Sequence, residues 1–228
     1  VIVQESNEIQ LYMKKSLLVV ATLFAAVAAQ GQYAPVGDKI KTSWAESIDV
    51  NNVHPEYPRP IMERPRWQNL NGLWNYAITP KGAAAPGQYD GEILVPFAVE
   101  SSLSGVGKTV GDSKELWYNR TFTVPADWKN DDVLLNFGAV DWKCDVWVNG
   151  VKVGSHTGGF TPFSMNITQA LNRKGKNELS VRVWDPTDRG TQPRGKQVTK
   201  PHGIWYTPVT GIWQTVWMEP VAKTGLKD

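Results

Sequence analysis

The sequence has little of what disulfide, metal and redox sites are built from. It contains one cysteine and three histidines in 228 residues. Cys144 has no partner for an internal disulfide, and its place in an apolar row predicts a small buried hydrophobe rather than a reactive thiol. His54, His156 and His202 are far apart and lack the spacing of metal ligands. We therefore expect neither a metal nor a cofactor.

Long charged and long apolar runs are also missing. The formal net charge is +2, and no run of five or more like charges occurs. This balance argues against a basic patch of the kind that binds nucleic acid. The apolar run at 17–29 is shorter than the ~20 residues needed to span a bilayer.

Residues 13–31 have the pattern of a signal peptide. Two lysines precede the apolar run, and small residues that fit a cleavage site follow it. The pattern predicts an exported protein, bacterial periplasmic or extracellular, that begins near Gln32 and is not a membrane protein once the signal is removed. Residues 1–12 precede the first methionine and are interpreted as upstream read-through.

Helical periodicity is nearly absent, which favours an all-β chain. Short alternating runs recur with turn residues between them, and no amphipathic segment of the kind that connects parallel strands is present. The pattern predicts a two-sheet β-sandwich. The expected elements are an extended lead-in at 32–60, strands at 73–78, 93–95, 116–125, 178–185 and 212–219, a helical turn at 167–171, and a long polar loop at 187–203.

The firmest local prediction is a β-hairpin around Asn149 and Gly150, a dipeptide that favours a type I′ turn. Pairing outward from this turn collects small apolar side chains on one face. The expected pairs are Val148 with Val151, Trp147 with Lys152, Val146 with Val153, and Cys144 with Ser155.

Two kinds of residue leave alternatives open. Arg120 has the parity of its apolar neighbours, so it either lies at a solvated strand end or pairs with a buried carboxylate; we favour the ion pair. The chain has 11 tryptophans. Most should lie in the core, whereas those in loops are candidates for platforms that stack on sugar rings.

Four ordered motifs carry a family resemblance: WYNRTFTVPADW (117–128), LNFGAVDWKCDVWVNGVKVGSHTGGFTPFSMNIT (135–168), NELSVRVWDPTD (177–188) and GIWYTPVTGIWQTVWMEP (203–220). Together they closely resemble the N-terminal sugar-binding domain of glycoside hydrolase family 2, which includes β-galactosidases, β-glucuronidases and β-mannosidases. The resemblance implies an all-β jelly-roll (galactose-binding-like) β-sandwich at 61–220. Residues 221–228 would then start a linker to an immunoglobulin-like domain and a (β/α)8 barrel.

In the family, the barrel carries the two glutamates of a retaining mechanism. The resemblance therefore implies the sugar-binding domain of an exported, β-galactosidase-like enzyme of carbohydrate metabolism that hydrolyses O-glycosyl bonds. The expected partners are a β-galactoside-type glycan and the missing C-terminal domains of the same chain. The alternatives are a free-standing carbohydrate-binding module with Trp147, Trp184 and Trp205 as its platform, and an adhesin-like structural sandwich.

The resemblance also implies candidate substrate-binding residues. Asn119 matches an asparagine that contacts sugar in family members, although an exposed strand residue is an equally good interpretation. β-Galactosidases and β-glucuronidases have an aspartate six residues before the glycine of the last motif, and counting back from Gly211 gives Trp205. An indole can stack on a pyranose or pack against the sandwich. The neighbouring loop adds Arg194, Gln197, His202 and Tyr206.

No catalytic residue is predicted in this chain. Asp145 has outward parity in the hairpin, and Asp185 and Asp188 flank a turn, so each is interpreted as a solvated or turn-capping carboxylate. The sequence also lacks a Gly-x-Ser-x-Gly elbow and a phosphate-binding loop. We expect the chain to bind or support rather than cleave.

Overall fold

The computed structural model describes residues 33–38, 40–222 and 224. Residues from Ala34 onward form one compact unit. The predicted signal peptide at 13–31, the segment 1–12 and most of the predicted linker lie outside the described residues. In the described part of the chain, no helix is long and apolar enough to cross a membrane.

The described residues form two antiparallel sheets and a short ribbon. The strands are β1 Gln68–Asn69, β2 Gly72–Pro80, β3 Gly91–Val95, β4 Lys114–Phe122, β5 Asp132–Phe137, β6 Val140–Asp141, β7 Lys143–Val148, β8 Val151–Thr157, β9 Phe163–Asn166, β10 Asn177–Trp184, β11 Gly211–Ile212 and β12 Val216–Val221. The sheet orders are β1-β12-β5-β9 and β3-β2-β4-β10-β7-β8, and β11 pairs with β6. Helical structure here is limited to short 3₁₀ turns, including Thr168–Ala170, where a single turn was predicted.

From β4 onward the chain repeatedly crosses between the sheets, as a jelly-roll topology requires. Strands β4, β7, β8 and β10 belong to the six-stranded sheet, whereas β5, β9 and β12 belong to the four-stranded sheet. The predicted all-β sandwich is confirmed.

The core lies between the two sheets and follows from alternation along the strands. Strand β2 contributes Trp74 and Tyr76, and β10 contributes Leu179 and Val181, all buried. Cys144 lies in the same cluster, and its burial raises the pKa of the thiol to about 12. This confirms that Cys144 is a small buried hydrophobe.

Asn149 and Gly150 close the predicted hairpin between β7 and β8. Their φ angles are 51° and 78°, as a type I′ turn requires. Val148 pairs with Val151, and the next predicted pair is also present.

Beyond these two pairs the predicted register is wrong, because a β-bulge between Val146 and Trp147 shifts the pairing by one residue. The bulge brings Gly154 under Met165 of the facing sheet. A Cβ at Gly154 would lie 2.8 Å from the Met165 sulfur, so the bulge places a residue without a side chain at this close approach. The observed pairs are Val146 with Gly154, Asp145 with Ser155, and Cys144 with His156.

Arg120 is held by backbone carbonyls. Its Nη1 donates to the carbonyl oxygens of Leu70 at 2.7 Å and Asn71 at 2.6 Å, and its guanidinium lies 6.0 Å from the ring centroid of Trp74. Burial lowers the pKa of Arg120. No carboxylate among the described residues pairs with it, so the favoured ion pair is wrong.

The strand predicted at 212–219 is divided in two. β11 ends at Ile212, and β12 begins at Val216. Between them, the backbone amide of Trp213 donates to the Ala139 carbonyl at 3.3 Å. The interruption lets the chain pass from the ribbon to the four-stranded sheet.

Asp145 faces outward, but the prediction of a solvated carboxylate is wrong. Only 10% of its side chain is exposed, and its oxygens lie 2.6 Å from Lys152 Nζ and 2.6 Å from Arg182 Nη2. Arg182 is directly opposite Asp145 on β10, so the outer face of the sheet carries its own ion-pair network.

Part of the lead-in is fastened to the four-stranded sheet through Glu219 of β12. This glutamate is fully buried. Its Oε2 accepts from the Tyr57 hydroxyl at 2.8 Å, and its Oε1 lies 3.5 Å from Arg59 Nη1 and 3.4 Å from Arg64 Nε. The lead-in lacks a regular period because individual side chains make its contacts.

We expect Glu219→Gln to lower the free energy of unfolding by roughly 2–4 kcal/mol, because it removes the anion that two arginines face in a buried site. Urea unfolding measures this loss, and limited proteolysis should show faster cleavage at 57–64. Glu63→Gln, at an exposed acid of the same segment, is the matched control. A loss no larger than that of the control would contradict the role given to Glu219.

Candidate functional site

A long connection leaves β10 after Trp184 and reaches β11 at Gly211. It folds back on itself: Gln197 and Tyr206 form an isolated bridge, and the Val198 amide donates to the Tyr206 carbonyl at 3.0 Å. We call residues 185–210 the β10–β11 connection. It contains most of the residues that were predicted to contact sugar, namely Arg194, Gln197, His202, Trp205 and Tyr206.

Buried acids fasten both ends of the β10–β11 connection to the sandwich. At its start, Asp185 accepts from the Thr187 amide at 2.7 Å; at its end, the Thr210 hydroxyl donates to the same carboxylate at 2.7 Å. The Thr210 amide also donates to Glu100 at 2.9 Å. Asp185 thus caps a turn as predicted, but it is buried rather than solvated.

Gly211 completes this attachment. Its φ is 91°, and a Cβ there would collide with the hydroxyl of Tyr118. The same hydroxyl accepts from the Ile212 amide at 3.1 Å. Only glycine satisfies both the positive φ and this close approach.

Two of the predicted contact residues take part in the structure of the connection itself. Gln197 donates through Nε2 to Asp141 at 3.0 Å and accepts from the Val209 amide at 2.6 Å. His202 is exposed, and its Nδ1 lies 2.8 Å from the carbonyl oxygen of Lys200. Gln197 therefore supports the connection from within, whereas the His202 ring faces solvent.

The outer side of the connection presents aromatic and cationic side chains, which we call the loop surface. Ile204 is 64% exposed, Tyr206 is 62% exposed, and Trp205 between them is half-buried. The Arg194 guanidinium lies 5.6 Å from the Trp205 ring centroid, and Lys196 Nζ lies 5.6 Å from that of Tyr206. Aromatic faces beside cations suit a ligand with both apolar and polar surface.

Asn119 lies elsewhere, on the outer face of β4. It is buried, and its Nδ2 donates to Glu178 at 2.8 Å and to Ser180 at 3.1 Å. Its partner across the sheet is Ser180, in the middle of β10, whereas the loop surface follows the end of that strand. The structure therefore brings the other five predicted residues into one connection and leaves Asn119 outside it.

Sequence reasoning missed the importance of Glu100 and Asp141. Burial raises the pKa of Glu100 to about 7 and that of Asp141 to about 6, and hydrogen bonds from Thr210 and Gln197 only partly oppose these shifts. Burial also raises the pKa of Asp185. The signal available in the sequence was an acid next to an apolar strand, as in the run AVDW at 139–142.

These three acids do not form a hydrolytic pair. A retaining glycosidase holds two carboxylates about 5–5.5 Å apart on either side of a sugar ring. Glu100, Asp141 and Asp185 are 2–3% exposed, so no sugar ring can lie between them. Within the described ranges, no group of three or more His, Cys, Asp or Glu residues is arranged to hold a metal.

A second depression lies between the lead-in and the turn that interrupts the last strand. Its volume is about 770 Å³, and Arg59, Phe160 and Trp213 are among its lining residues. The Trp213 indole donates to the Gly159 carbonyl at 2.8 Å, and the Phe160 ring lies edge-on to it at 6.3 Å. These contacts hold the turn in place.

Comparison with known proteins identifies the sandwich. Residues 104–212 match the family described as glycosyl hydrolase 2 galactose-binding domain-like. These matched residues of the sandwich are the galactose-binding-like part of a glycoside hydrolase family 2 domain. The matched residues include β4, the hairpin, β10 and the whole β10–β11 connection.

Similar curated proteins are glycosidases of greater length. A β-glucuronidase of Paenibacillus borealis is 29% identical over 149 residues, which cover 61% of this chain and 24% of that protein. A β-galactosidase of Thermoanaerobacter pseudethanolicus is 32% identical over 113 residues, which cover 49% of this chain and 14% of that protein. The chain therefore spans about a quarter or less of these relatives.

Solved structures share the fold. A β-glucuronidase of Lactobacillus rhamnosus superposes with a TM-score of 0.56 at 24% identity, covering 71% of this chain and 30% of that one. A β-glucuronidase of Ruminococcus gnavus bound to uronic deoxynojirimycin gives 0.55 at 22% identity, covering 71% and 30%.

Trp205 stands at the position where the motif resemblance leads us to expect an aspartate. The structure places its indole next to the Arg194 guanidinium rather than in the core. A carboxylate at this position would accept a hydrogen bond from a sugar hydroxyl, whereas the indole offers a ring face and one N–H donor.

We expect Glu100→Gln to flatten the pH dependence of stability between pH 4.5 and about 7. In the parent, the buried carboxyl keeps a proton that the unfolded chain has released. Its stabilisation is therefore fully present at low pH and is lost as the pH rises through the folded pKa. At about 1.4 kcal/mol per pKa unit, the parent should lose roughly 2–4 kcal/mol more than the variant.

Urea unfolding at intervals from pH 4 to pH 8 measures this difference. Glu92→Gln, at an exposed acid on β3, controls for the change in net charge and should follow the parent. The same slope in the parent and in Glu100→Gln would show that Glu100 does not titrate in this window.

Proposed function

We propose that this domain is the sugar-binding part of an exported family 2 β-glycosidase, and that its loop surface contacts the sugar held by the catalytic part of that enzyme. The single observation that carries the proposal is the pair of half-buried Trp205 and exposed Tyr206 on a connection fastened by hydrogen bonds to the sandwich. An aromatic surface on a fixed backbone can bind a pyranose face at little entropic cost.

Binding rather than cleavage is the role of this chain. The three most buried acids of the site are enclosed by their own hydrogen-bond partners, and Asp145 is committed to two cations. The family's retaining mechanism uses two glutamates of the barrel. The proposal assigns hydrolysis to that barrel.

The first candidate substrate is a β-galactoside, as the motif resemblance implies. A β-glucuronide is the second candidate, and two observations favour it. Several similar proteins carry the name β-glucuronidase. In addition, Arg194 and Lys196 flank the two aromatic side chains, and these cations complement the carboxylate of a uronic acid.

The structure argues against a three-tryptophan platform of a free-standing binding module. The Trp147 ring stacks on Trp117 at 5.5 Å, and Lys81 Nζ lies 3.4 Å from the ring centroid of Trp184. Both indoles therefore already have a partner against the ring. Trp205 is the best placed of the three to meet a sugar.

The pattern at 13–31 supports export. We expect that a bacterial host which secretes the full chain will release a mature form beginning near Gln32. Intact-mass analysis of the secreted protein measures this. A product that keeps residues 13–31 would contradict export through a cleaved signal peptide.

Millimolar galactose or glucuronic acid should quench the tryptophan fluorescence of the purified chain, and the quenching should saturate. The sugar that binds more tightly identifies the substrate class. Trp205→Ala should abolish this response. Trp44→Ala, at an exposed tryptophan of the lead-in, is the matched control and should keep it. Absence of quenching by both sugars, or quenching that persists in Trp205→Ala, would overturn the role of the loop surface.

The same preparation should not hydrolyse p-nitrophenyl β-galactoside or p-nitrophenyl β-glucuronide. Glu100, Asp141 and Asp185 are enclosed and Asp145 is ion-paired, so none of these four carboxyls is available to protonate a leaving group. Turnover that disappears in Asp141→Asn or Glu100→Gln would place catalysis in this domain and refute the proposal.

A further inference from the structure

The outer face of the six-stranded sheet contains a polar depression unrelated to the loop surface. It has a volume of about 520 Å³, within the range of ligand sites in proteins. Strands β4, β7, β8 and β10 form its floor, and the turn after β2 forms one wall. Its lining residues are Lys81, Glu115, Lys143, Asp145, Lys152, Ser155, Arg182 and Trp184.

Both acids of the depression are already engaged. Asp145 receives Lys152, Arg182 and Ser155, each at 2.6 Å. Burial opposes ionisation of Asp145, but these hydrogen bonds outweigh it and hold its pKa well below the usual range. Glu115 accepts from the Gly82 amide at 3.1 Å and lies 3.8 Å from Arg182 Nη1.

Two cations remain in excess. The lining contains four basic side chains and two carboxylates, and Lys152 and Arg182 pair with the carboxylates. In the part of the chain described, no carboxylate lies within ion-pair distance of Lys81 or Lys143. Both lysines flank Trp184: Lys143 is its partner across the sheet, and Lys81 Nζ lies 3.4 Å from its ring centroid.

The side chains around this excess charge are held in place. The Trp184 indole donates to the Asp112 carbonyl at 2.7 Å, which fixes the ring beneath Lys81. The Arg182 guanidinium lies 5.6 Å from the ring centroids of both Trp117 and Trp147. A ligand would therefore meet Lys81 and Arg182 in positions that aromatic rings help to set, which reduces the ordering cost of binding.

We propose that this depression binds an anionic sugar residue, with its carboxylate or sulfate group between Lys81 and Lys143. A uronate and a sulfate ester present the same chemistry to two ammonium groups. The engaged acids and Ser155 can accept hydrogen bonds from the sugar hydroxyls beside the anion. The same acids repel a densely charged phosphate chain or an acidic peptide, because these ligands bring several anions and lack the sugar hydroxyls that could donate to the acids.

The test is a calorimetric titration of the full chain with tetrasaccharides of defined charge. A hyaluronan tetrasaccharide carries carboxylates only, a sulfated galactan tetrasaccharide carries sulfates only, and cellotetraose is neutral. We expect saturable binding of at least one acidic probe, about tenfold weaker binding of cellotetraose, and affinity that falls as salt is raised.

The double variant Lys81→Ala/Lys143→Ala should bind the acidic tetrasaccharide at least tenfold more weakly than the parent. Lys174→Ala/Lys176→Ala removes the same charge from exposed residues before β10 and should change the affinity by less than twofold. Arg194→Ala/Lys196→Ala removes two cations from the loop surface. If only that variant fails to bind the acidic tetrasaccharide, the acidic sugar binds the loop surface. The proposal of a site in the polar depression then fails, while the proposed function stands.

Three further results would overturn the proposal. They are equal affinity for cellotetraose and the acidic probes, equal affinity for poly-glutamate or a DNA oligonucleotide, and no binding of either acidic probe at millimolar concentration. A circular dichroism spectrum of the double variant that matches the parent establishes that lost binding is not lost folding.

Discussion

Strand β10 is the element on which the rest of the structure depends, because its alternation of side chains serves two surfaces at once. It pairs with β4 on one side and β7 on the other, so it has no free edge. Leu179 and Val181 face the core, whereas Arg182 and Trp184 face outward into the polar depression. A shift of one residue would exchange these faces and bury a guanidinium among aliphatic side chains.

The end of the same strand also determines the loop surface. The connection starts at Asp185, directly after β10, and returns to that carboxylate through Thr210. An excursion of this length needs such an attachment, because closing a long loop costs conformational entropy. Tyr118 and Gly211 secure the return by steric fit. The exposed aromatic side chains are thus carried by a backbone that the sandwich holds at both ends.

The sequence predicted the architecture well where the pattern had period two. The alternation around Leu179, the Asn149-Gly150 turn and the absence of helical periods led to an all-β sandwich. Prediction from the sequence failed where a tertiary contact, rather than the alternation of side chains, determined the local structure. The bulge at Val146 follows from the position of Met165 on another strand, and the partners of Arg120 are carbonyls of a distant turn. No local pattern encodes either contact.

The candidate site could be placed only in part from the sequence, because the contacts that hold it are also tertiary. The polar loop predicted at 187–203 lies within the β10–β11 connection, and the motif resemblance singled out Trp205. The motif comparison added Asn119, which the structure places on a different face. Glu100 could not be linked to the site, because it meets Thr210 only after residues far apart in the sequence come together. Whether an acid is buried and hydrogen-bonded depends on the folded chain, not on its neighbours in the sequence.

The bond between Tyr57 and Glu219 spans 162 positions, and this separation has a consequence during synthesis on the ribosome. Translation proceeds from the N-terminus, so the lead-in emerges long before its anion exists. The arginines at 59 and 64 therefore stay solvated until β12 has been made and has paired with β5. Docking of the lead-in is therefore a late step in the folding of this domain. Until the last strand is in place, newly made chains are open to proteases at that segment.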